Sequence, residues 1–197
     1  MSRVSSSHCS HLIMRLLGWK NQMIPHKDDI TRTVPYNGLL LEVHYKAGLI
    51  ISTRLVQSNG FDSTPDIIPY EHIDVRKLDS SRVSVFRWRV YQFLMDRIPK
   101  GTIITYGEIA RSLGSKDYAR AVGTALSNNP WPIIVPCHRV VLGNGLIGEY
   151  NSQSGIITKS KILRSEGLEI GKVGDYDQKN LMKIATEDTD ANNQTKM

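Results

Sequence analysis

Cys137 and His138 are adjacent in the run PCHRVV at residues 136–141. Cysteine is a nucleophile only as the thiolate, so a reactive Cys137 needs a group that accepts its proton. His138 is the nearest candidate, but neighbouring side chains on an extended segment point opposite ways, so a bridging water is as plausible as direct contact. Glu166 is a candidate to orient His138, because a carboxylate on the far ring nitrogen fixes the tautomer. These residue types indicate nucleophilic chemistry at a thiol.

The same pair has a simpler interpretation. A cysteine followed by a histidine is more often a packed small residue beside a hydrogen-bonded histidine than a catalytic pair. The chain contains only two cysteines, Cys9 and Cys137, which are too few for a disulfide framework or a four-thiolate zinc site. We therefore expect a reducing compartment and no structural metal.

Positive charge is concentrated in one part of the chain. The formal net charge is +6, and residues 82–172 hold thirteen Lys or Arg against six Asp or Glu. A basic field of this kind attracts polyanions, most often nucleic acid, although many basic proteins bind none. The charge therefore supports nucleic-acid binding only if a motif accompanies it.

The elements that would position these residues begin with a β-hairpin. Residues 38–56 contain two β-rich runs around a Lys-Ala-Gly turn. A loop rich in Pro, Asn, Asp and Ser follows and extends to about residue 79. The sequence thus predicts a flexible N-terminal extension at 1–35 and a small β-containing unit at 36–79.

The next part of the chain is predicted to be mostly helical. Apolar residues have helical spacing over 84–97, and Thr105 with Glu108 has the spacing of a capping box that starts a second helix. A third helix is expected at about 117–127. Two short helices joined by a tight turn predict a helix-turn-helix.

The reactive pair is predicted to follow a buried strand. Residues 133–135 are apolar and β-branched, and residues 156–166 predict a last helix. We expect a domain at 80–173 and a disordered tail at 174–197, where the sequence is polar and lacks a core face. The fold class is therefore α/β, with a small hairpin-containing unit before a mostly helical domain.

The third predicted helix carries a stripe of small side chains with Arg120 near its start. Such a thin surface lets a DNA backbone come close, but small stripes also serve the packing of helices against each other. The positive charge of this part of the chain favours DNA. The stripe includes Ala121, Thr124 and Ala125.

Several segments resemble the O6-alkylguanine-DNA alkyltransferases, the methylated-DNA--protein-cysteine methyltransferase family. The run PCHRVV resembles the family's active-site signature. Three further segments follow the family's order and spacing: YGEIA at 106–110, ARAVG at 119–123, and Asn129-Pro130 with Pro132. The resemblance covers about residues 83–167. It is specific, because several separate motifs agree at once.

The resemblance implies direct-reversal DNA repair that works once per molecule. Cys137 would accept an alkyl group from O6 of guanine, with His138 as its base through water and Glu166 orienting His138. Asn129 would brace the turn beneath the thiol, and Tyr106 would donate a proton to the departing guanine. Because the product is a stable thioether, transfer would be irreversible, and no cofactor or metal is expected.

The resemblance also implies that the protein binds duplex DNA through the minor groove and extrudes the damaged nucleotide. Arg120 would fill the space left in the base stack, and Tyr106 would press on the adjoining phosphate. The stripe Ala121, Thr124 and Ala125 would face the DNA. The substrate pocket would be formed by Pro132, Val135 and Tyr150, with backbone groups near Val140 reading the guanine edge.

Two features depart from the family pattern, and two other functions are open. Glu149 adds a negative charge near the expected pocket, and the segment 151–155 is longer than the family's short loop. One alternative is an alkyltransferase-like sensor that binds alkylated DNA without transfer, although such proteins replace the acceptor cysteine. Another is a helix-turn-helix transcription regulator, but the predicted recognition helix lacks clustered base-reading side chains.

The expected partner is double-stranded DNA containing O6-alkylguanine, bound by a monomer in the cytoplasm or nucleus. No membrane association is expected, because the apolar run near residues 11–19 is too short to span a bilayer. Residues 1–27 contain no acidic residue and several Arg, Lys and Ser, so an organellar presequence is an alternative.

Overall fold

The structure, a computed structural model, describes residues 29–56, 68–148, 158–172 and 174–182. It begins with a three-stranded antiparallel sheet in the order β1-β2-β3. The strands are β1 at Asp29–Tyr36, β2 at Leu39–Lys46 and β3 at Leu49–Val56. Asn37-Gly38 and Ala47-Gly48 connect them, all with positive φ, which is the backbone conformation of tight hairpin turns.

The predicted hairpin is confirmed as β2 paired with β3. The sheet nevertheless starts earlier than the predicted boundary at residue 36, because β1 occupies part of the segment 1–35 that was expected to be flexible. β1 lies at the edge of the sheet, where Pro35 is tolerated. Its polar composition and its proline gave β1 no clear strand pattern.

Four α-helices lie in the described residues after the sheet: α1 at Val85–Arg97, α2 at Tyr106–Ser112, α3 at Ala119–Ser127 and α4 at Lys159–Ser165. Ser84 caps α1, and the predicted capping box of Thr105 and Glu108 is confirmed at the start of α2. A single 3-10 turn at Lys116–Tyr118 joins α2 to α3. None of the helices in the described ranges is long and apolar enough to cross a membrane.

The expectation of a strand at residues 133–135 is wrong. This segment is a tight turn closed by a bridge between Pro132 and Val135, with Ile133 at φ 75°. Prolines at 130, 132 and 136 remove backbone donors that a central strand would need. A 3-10 helix at Cys137–Arg139 follows the turn, and then β5 at Val140–Val141 pairs in parallel with β4 at Ile104–Thr105.

One continuous core joins the sheet to the helices. Its fully buried members come from both parts of the chain, among them Val34, Leu41, Ile50, Val90, Leu94, Trp131 and Ile162. A smaller cluster forms around Ile103, Val141, Leu163 and Tyr176.

The smaller cluster corrects the predicted tail. Residues 174–182 are folded, because Tyr176 is buried and the amide of Met182 donates to the carbonyl of Ile103 at 2.8 Å. The apolar residues of this segment are separated by polar ones without periodicity, so no core face was visible in the sequence. Residues 183–197 lie outside the described residues.

Candidate active site

Cys137 opens its 3-10 helix directly after the turn, and its side chain is half-buried. Asn129 lies beneath it. The Asn129 Nδ2 donates to Cys137 Sγ at 3.2 Å and to the Val135 carbonyl at 3.1 Å, while its Oδ1 accepts from the Trp131 amide at 2.9 Å. One side chain therefore holds the turn and offers a hydrogen-bond donor to the sulfur, which favours its negative charge.

Strand β3 fixes this turn from the other side. Trp131 Nε1 donates to the Ile50 carbonyl at 2.9 Å, and Thr53 Oγ1 donates to the Pro132 carbonyl at 2.7 Å. The Thr53 amide also donates to the Pro130 carbonyl at 2.9 Å. A β-branched residue with positive φ, such as Ile133, costs about 1–3 kcal/mol and persists only where surrounding contacts determine it. The sheet provides those contacts.

His138 and Glu166 form a fully buried pair. His138 Nε2 donates to Glu166 Oε1 at 2.8 Å. Because an ionised carboxylate only accepts hydrogen bonds, Nε2 carries the proton, and Nδ1 of the neutral ring is an acceptor. This Nδ1 is buried and has no hydrogen-bond partner among the described residues. Burial lowers the pKa of His138 against the opposing attraction of Glu166, so the ring rests neutral at pH 7.

Arg139 completes the environment of Glu166. Its Nε donates to Glu166 Oε2 at 3.0 Å, and its Nη2 donates to Oε1 at 2.8 Å. Burial alone would raise the pKa of Glu166, but the hydrogen bonds from His138 and Arg139 outweigh it and hold that pKa well below its usual range. Glu166 is therefore ionised and can stabilise an imidazolium on His138.

Lys159 is a buried cation that sequence reasoning missed. It is 3% exposed, donates to the Val140 carbonyl, and lines the same groove as Cys137. Burial lowers the pKa of Lys159 to about 8, against the opposing effect of charge on Cys137. A signal was present, because Lys159 precedes Ile162 and Leu163 at helical spacing and so falls on the apolar face of α4.

A groove of about 680 Å³ opens at Cys137. Tyr106, Gly123 and Pro132 line it from the helical part, and residues 51–55 of β3 line it from the sheet. Tyr106 is fixed at the first position of α2 by the capping box. Burial and the charge of Cys137 raise the pKa of Tyr106, so its hydroxyl group is protonated at neutral pH.

Other residues singled out from the sequence lie elsewhere. Val135 and Val140 are fully buried and contribute carbonyl groups to the site, not side chains to the groove, because both pack in the core. Ala125 is also buried, so it cannot face DNA, whereas Arg120, Ala121 and Thr124 are exposed on α3. Tyr150, Glu149 and the segment 151–155 lie outside the described residues.

Comparison with known proteins identifies the part of the chain that carries this site. Residues 85–168 match the family described as 6-O-methylguanine DNA methyltransferase, DNA binding domain. A methylated-DNA--protein-cysteine methyltransferase from Thermococcus gammatolerans is 46% identical over 93 residues, which are 47% of this chain and 51% of that protein. The protein of that name from Thermococcus kodakarensis is 43% identical over 95 residues, 48% of this chain and 52% of that protein. The chain spans about half the length of the curated relatives it matches.

The likeness extends to solved structures. The crystal structure of O6-methylguanine-DNA methyltransferase from the hyperthermophilic archaeon Pyrococcus kodakaraensis is similar with a TM-score of 0.52 and 26% identity, covering 70% of this chain and 98% of that chain. All the residues of the buried pair and the thiol turn lie within the matched segment. Residues 85–168, which carry Cys137, His138 and Glu166, are therefore similar to the DNA-binding domain of 6-O-methylguanine DNA methyltransferases.

Proposed function

We propose that this protein repairs DNA by moving the alkyl group of O6-alkylguanine onto Cys137. The observation that carries the proposal is the buried pair of His138 and Glu166. In the described part of the chain it leaves Nδ1 of His138 neutral and without a hydrogen-bond partner, one residue after the thiol. The similarity of residues 85–168 to the DNA-binding domain of 6-O-methylguanine DNA methyltransferases supports the same activity. The relatives named methylated-DNA--protein-cysteine methyltransferase support the identity of the acceptor as cysteine.

The first step is the ionisation of the thiol. The proton of Cys137 passes, through a water molecule, to Nδ1 of His138, and Glu166 stabilises the imidazolium that forms. The amide of Asn129 and the ammonium group of Lys159 stabilise the thiolate. Cysteine reactivity depends on such a lowering of the energy of the charged form.

The second step is displacement at the alkyl carbon. A bond forms between Cys137 Sγ and that carbon, while the bond from the carbon to O6 breaks and leaves its electron pair on guanine. Tyr106 donates a proton to the guanine and recovers one from His138 through solvent. The products are unmodified guanine and a thioether. Because common cellular nucleophiles do not displace a thioether from cysteine, each molecule acts once.

DNA binding belongs to the same proposal. Helices α2 and α3 act as a helix-turn-helix whose exposed small residues, Ala121 and Thr124, approach the minor groove. The damaged nucleotide is extruded, since O6 of a stacked guanine is inaccessible to a half-buried thiol. Arg120, exposed near the start of α3, fills the vacated position in the stack.

Incubation with a duplex containing O6-methylguanine tests the transfer. Mass spectrometry is expected to show a gain of one methylene on the peptide containing Cys137, and a return of the duplex to unmodified guanine. Cys137→Ser is expected to abolish both changes and to retain affinity for the duplex within about threefold, because the change lies away from the exposed face of α3.

An unmodified thiol under reducing conditions, with unrepaired DNA, would contradict the proposal. If the protein still bound the alkylated duplex more tightly than the unmodified one, the result would favour the sensor function, in which the lesion is bound without transfer.

A further inference from the structure

Tyr36 connects the N-terminal sheet to the buried pair of the site. It is the last residue of β1, and its hydroxyl group donates to Glu166 Oε1, 130 positions away in the chain. The same oxygen accepts from His138 Nε2 at 2.8 Å. The Tyr36 side chain is 6% exposed, so water does not compete for this bond. The sheet therefore contacts the carboxylate that orients His138.

The direction of these hydrogen bonds follows from the chemistry of the partners. Arg139 Nη2 lies 3.4 Å from the Tyr36 hydroxyl oxygen, and a guanidinium group has no acceptor. The hydroxyl group therefore accepts from Arg139 and gives its own proton to Glu166. Burial and the bond to Glu166 raise the pKa of Tyr36 well above its usual range, so this proton is retained.

A second hydrogen-bond donor to Glu166 Oε1 weakens the attraction between that oxygen and the proton on His138 Nε2. Tyr36, His138 and Arg139 all donate to the one oxygen, so they share its negative charge. Removal of the Tyr36 hydroxyl group would leave more charge facing His138. A stronger carboxylate favours the protonated imidazole, and His138 would then keep its proton to a higher pH.

We propose that Tyr36 is a positioning residue of the site, which sets how strongly Glu166 attracts the proton of His138 and therefore the pH at which Cys137 becomes reactive. The inference rests on the proposed function for the role of Cys137. Sequence motifs did not suggest it, because Tyr36 lies far outside the matched segment 85–168.

Other charged and titratable groups also face this pair, so the test must separate their effects on His138 from the effect of Tyr36. The charged and titratable residues around His138 and Glu166 in the described ranges come from the segment before α1, the 3-10 helix and α4; they are Tyr70, Cys137, Arg139 and Lys159. Arg139 and Lys159 are cations that oppose protonation of His138. A change at Tyr36 leaves all four in place.

The test measures Tyr36→Phe against the unchanged protein. NMR of the His138 imidazole ring over a range of pH gives the pKa of His138. The rate of Cys137 alkylation by iodoacetamide over the same range gives the pH midpoint of thiol reactivity. The pKa of His138 is expected to rise by about half a pH unit, whereas the pH midpoint of thiol reactivity is expected to fall, because a more basic ring takes the proton of Cys137 more readily. Cys137 is then expected to react up to about threefold faster below that midpoint. Iodoacetamide contains no DNA or guanine, so the result does not depend on whether the protein repairs alkylated DNA.

Tyr70→Phe is the matched control. The Tyr70 ring packs on Tyr36 with centroids 5.0 Å apart, but its hydroxyl group donates to the Ile133 carbonyl at 3.4 Å and not to Glu166. This variant is expected to leave both midpoints unchanged. Unchanged midpoints in Tyr36→Phe, or an equal shift in Tyr70→Phe, would overturn the inference.

A second measurement uses the unaltered protein and remains decisive if Tyr36→Phe does not fold. The hydroxyl proton of Tyr36 and the Nε2 proton of His138 point to one oxygen, so proton NMR is expected to show a protected hydroxyl resonance with a nuclear Overhauser effect to the imidazole proton. The absence of that cross-peak, with the imidazole proton visible, would overturn the contact on which the inference is built.

Discussion

The sulfur of Cys137 accepts a hydrogen bond from a neutral donor and shares its groove with a buried cation. Asn129 Nδ2 donates to it at 3.2 Å, and Lys159 is buried in the wall of the same groove. A cation stabilises a nearby thiolate, and the effect is strong where water is excluded. Lys159 is thus expected to assist the ionisation of Cys137 as long as its own amine is protonated.

We predict that Lys159→Met makes Cys137 less acidic. The pH midpoint of its reaction with iodoacetamide is expected to rise by about one unit. Burial lowers the pKa of Lys159 to about 8, so its charge assists the thiol below that pH and is lost above it. The rates of the variant and the unchanged protein are therefore expected to converge in alkaline solution.

Lys161→Met is the control for this prediction, because Lys161 lies on the same helix but is exposed to solvent. Screening by water makes the charge of Lys161 nearly irrelevant to the half-buried thiol of Cys137. A midpoint that stayed unchanged in Lys159→Met, or that moved equally in both variants, would assign Lys159 a packing role alone.

At the scale of elements, α3 presents two different faces. Val122 and Ala125 are buried against the core, while Arg120, Ala121 and Thr124 are exposed. The Tyr91 hydroxyl group on α1 donates to the Ala125 carbonyl at 2.7 Å and fixes the end of the helix. The outer face is therefore thin and rigidly held, which suits close approach to a nucleic-acid backbone.

We predict that Arg120→Ala slows repair in duplex DNA much more than it slows alkyl transfer from the free base. Repair of O6-methylguanine in a duplex is expected to slow at least about tenfold, because an extruded nucleotide leaves an unfilled gap that costs a few kcal/mol. Reaction with the free base O6-methylguanine, which needs no extrusion, is expected to change less than about twofold. Single-turnover rates on the two substrates measure the difference.

Lys116→Ala provides the charge-matched comparison, because Lys116 is exposed in the turn before α3. Its loss removes one positive charge without removing a side chain that could enter the base stack. Equal losses on duplex and free base in Arg120→Ala would contradict the proposed position of this arginine, as would an equal effect of Lys116→Ala on the duplex.

The helices were predictable because their signals are local. Ser84 caps α1, and Thr105 with Glu108 forms the capping box of α2, each within a few residues of the helix start. The turn at 130–136 was not predictable from the sequence, because its shape depends on Asn129 and on hydrogen bonds with β3. Short apolar runs such as 133–135 do not distinguish a strand from a buried turn.

The candidate site was predicted in part for the same reason. Cys137 and His138 are adjacent in the sequence, so they could be recognised together without knowledge of the fold. Glu166 was a candidate by its residue type, and resemblance added Asn129. The contacts of Tyr36 and Arg139 with Glu166 join distant segments, and no local pattern reports them. The side chain of Val135 packs in the core and does not line the groove, which the motif could not predict because it does not tell which side chains turn inward.

At the scale of the whole molecule, sheet and helices share one core and several buried hydrogen bonds. Leu41 and Ile50 of the sheet belong to the same buried cluster as Leu94 and Trp131. Trp131 Nε1 also bonds the Ile50 carbonyl across the junction. The sheet is therefore expected to unfold together with the helices and not before them.

We predict a single cooperative transition in urea. Tryptophan fluorescence, to which buried Trp131 contributes together with Trp19 and Trp88, and far-ultraviolet circular dichroism are expected to give the same midpoint and the same slope. A transition of β-structure at lower urea concentration than the change in tryptophan fluorescence would show that the sheet is an independent unit.

The folded segment 174–182 limits where the chain can be cut or joined to another protein. The Ile103 amide donates to the Asn180 carbonyl at 3.0 Å, and Ile103 directly precedes β4. Strand β4 pairs with β5, which begins right after the 3-10 helix that carries the thiol. Cutting the chain at residue 173 to attach an affinity tag or a fluorescent protein would remove this hydrogen-bonded segment and expose Ile103. A junction placed after Met182 keeps it, so reporters built at that point are expected to preserve a working nucleophile.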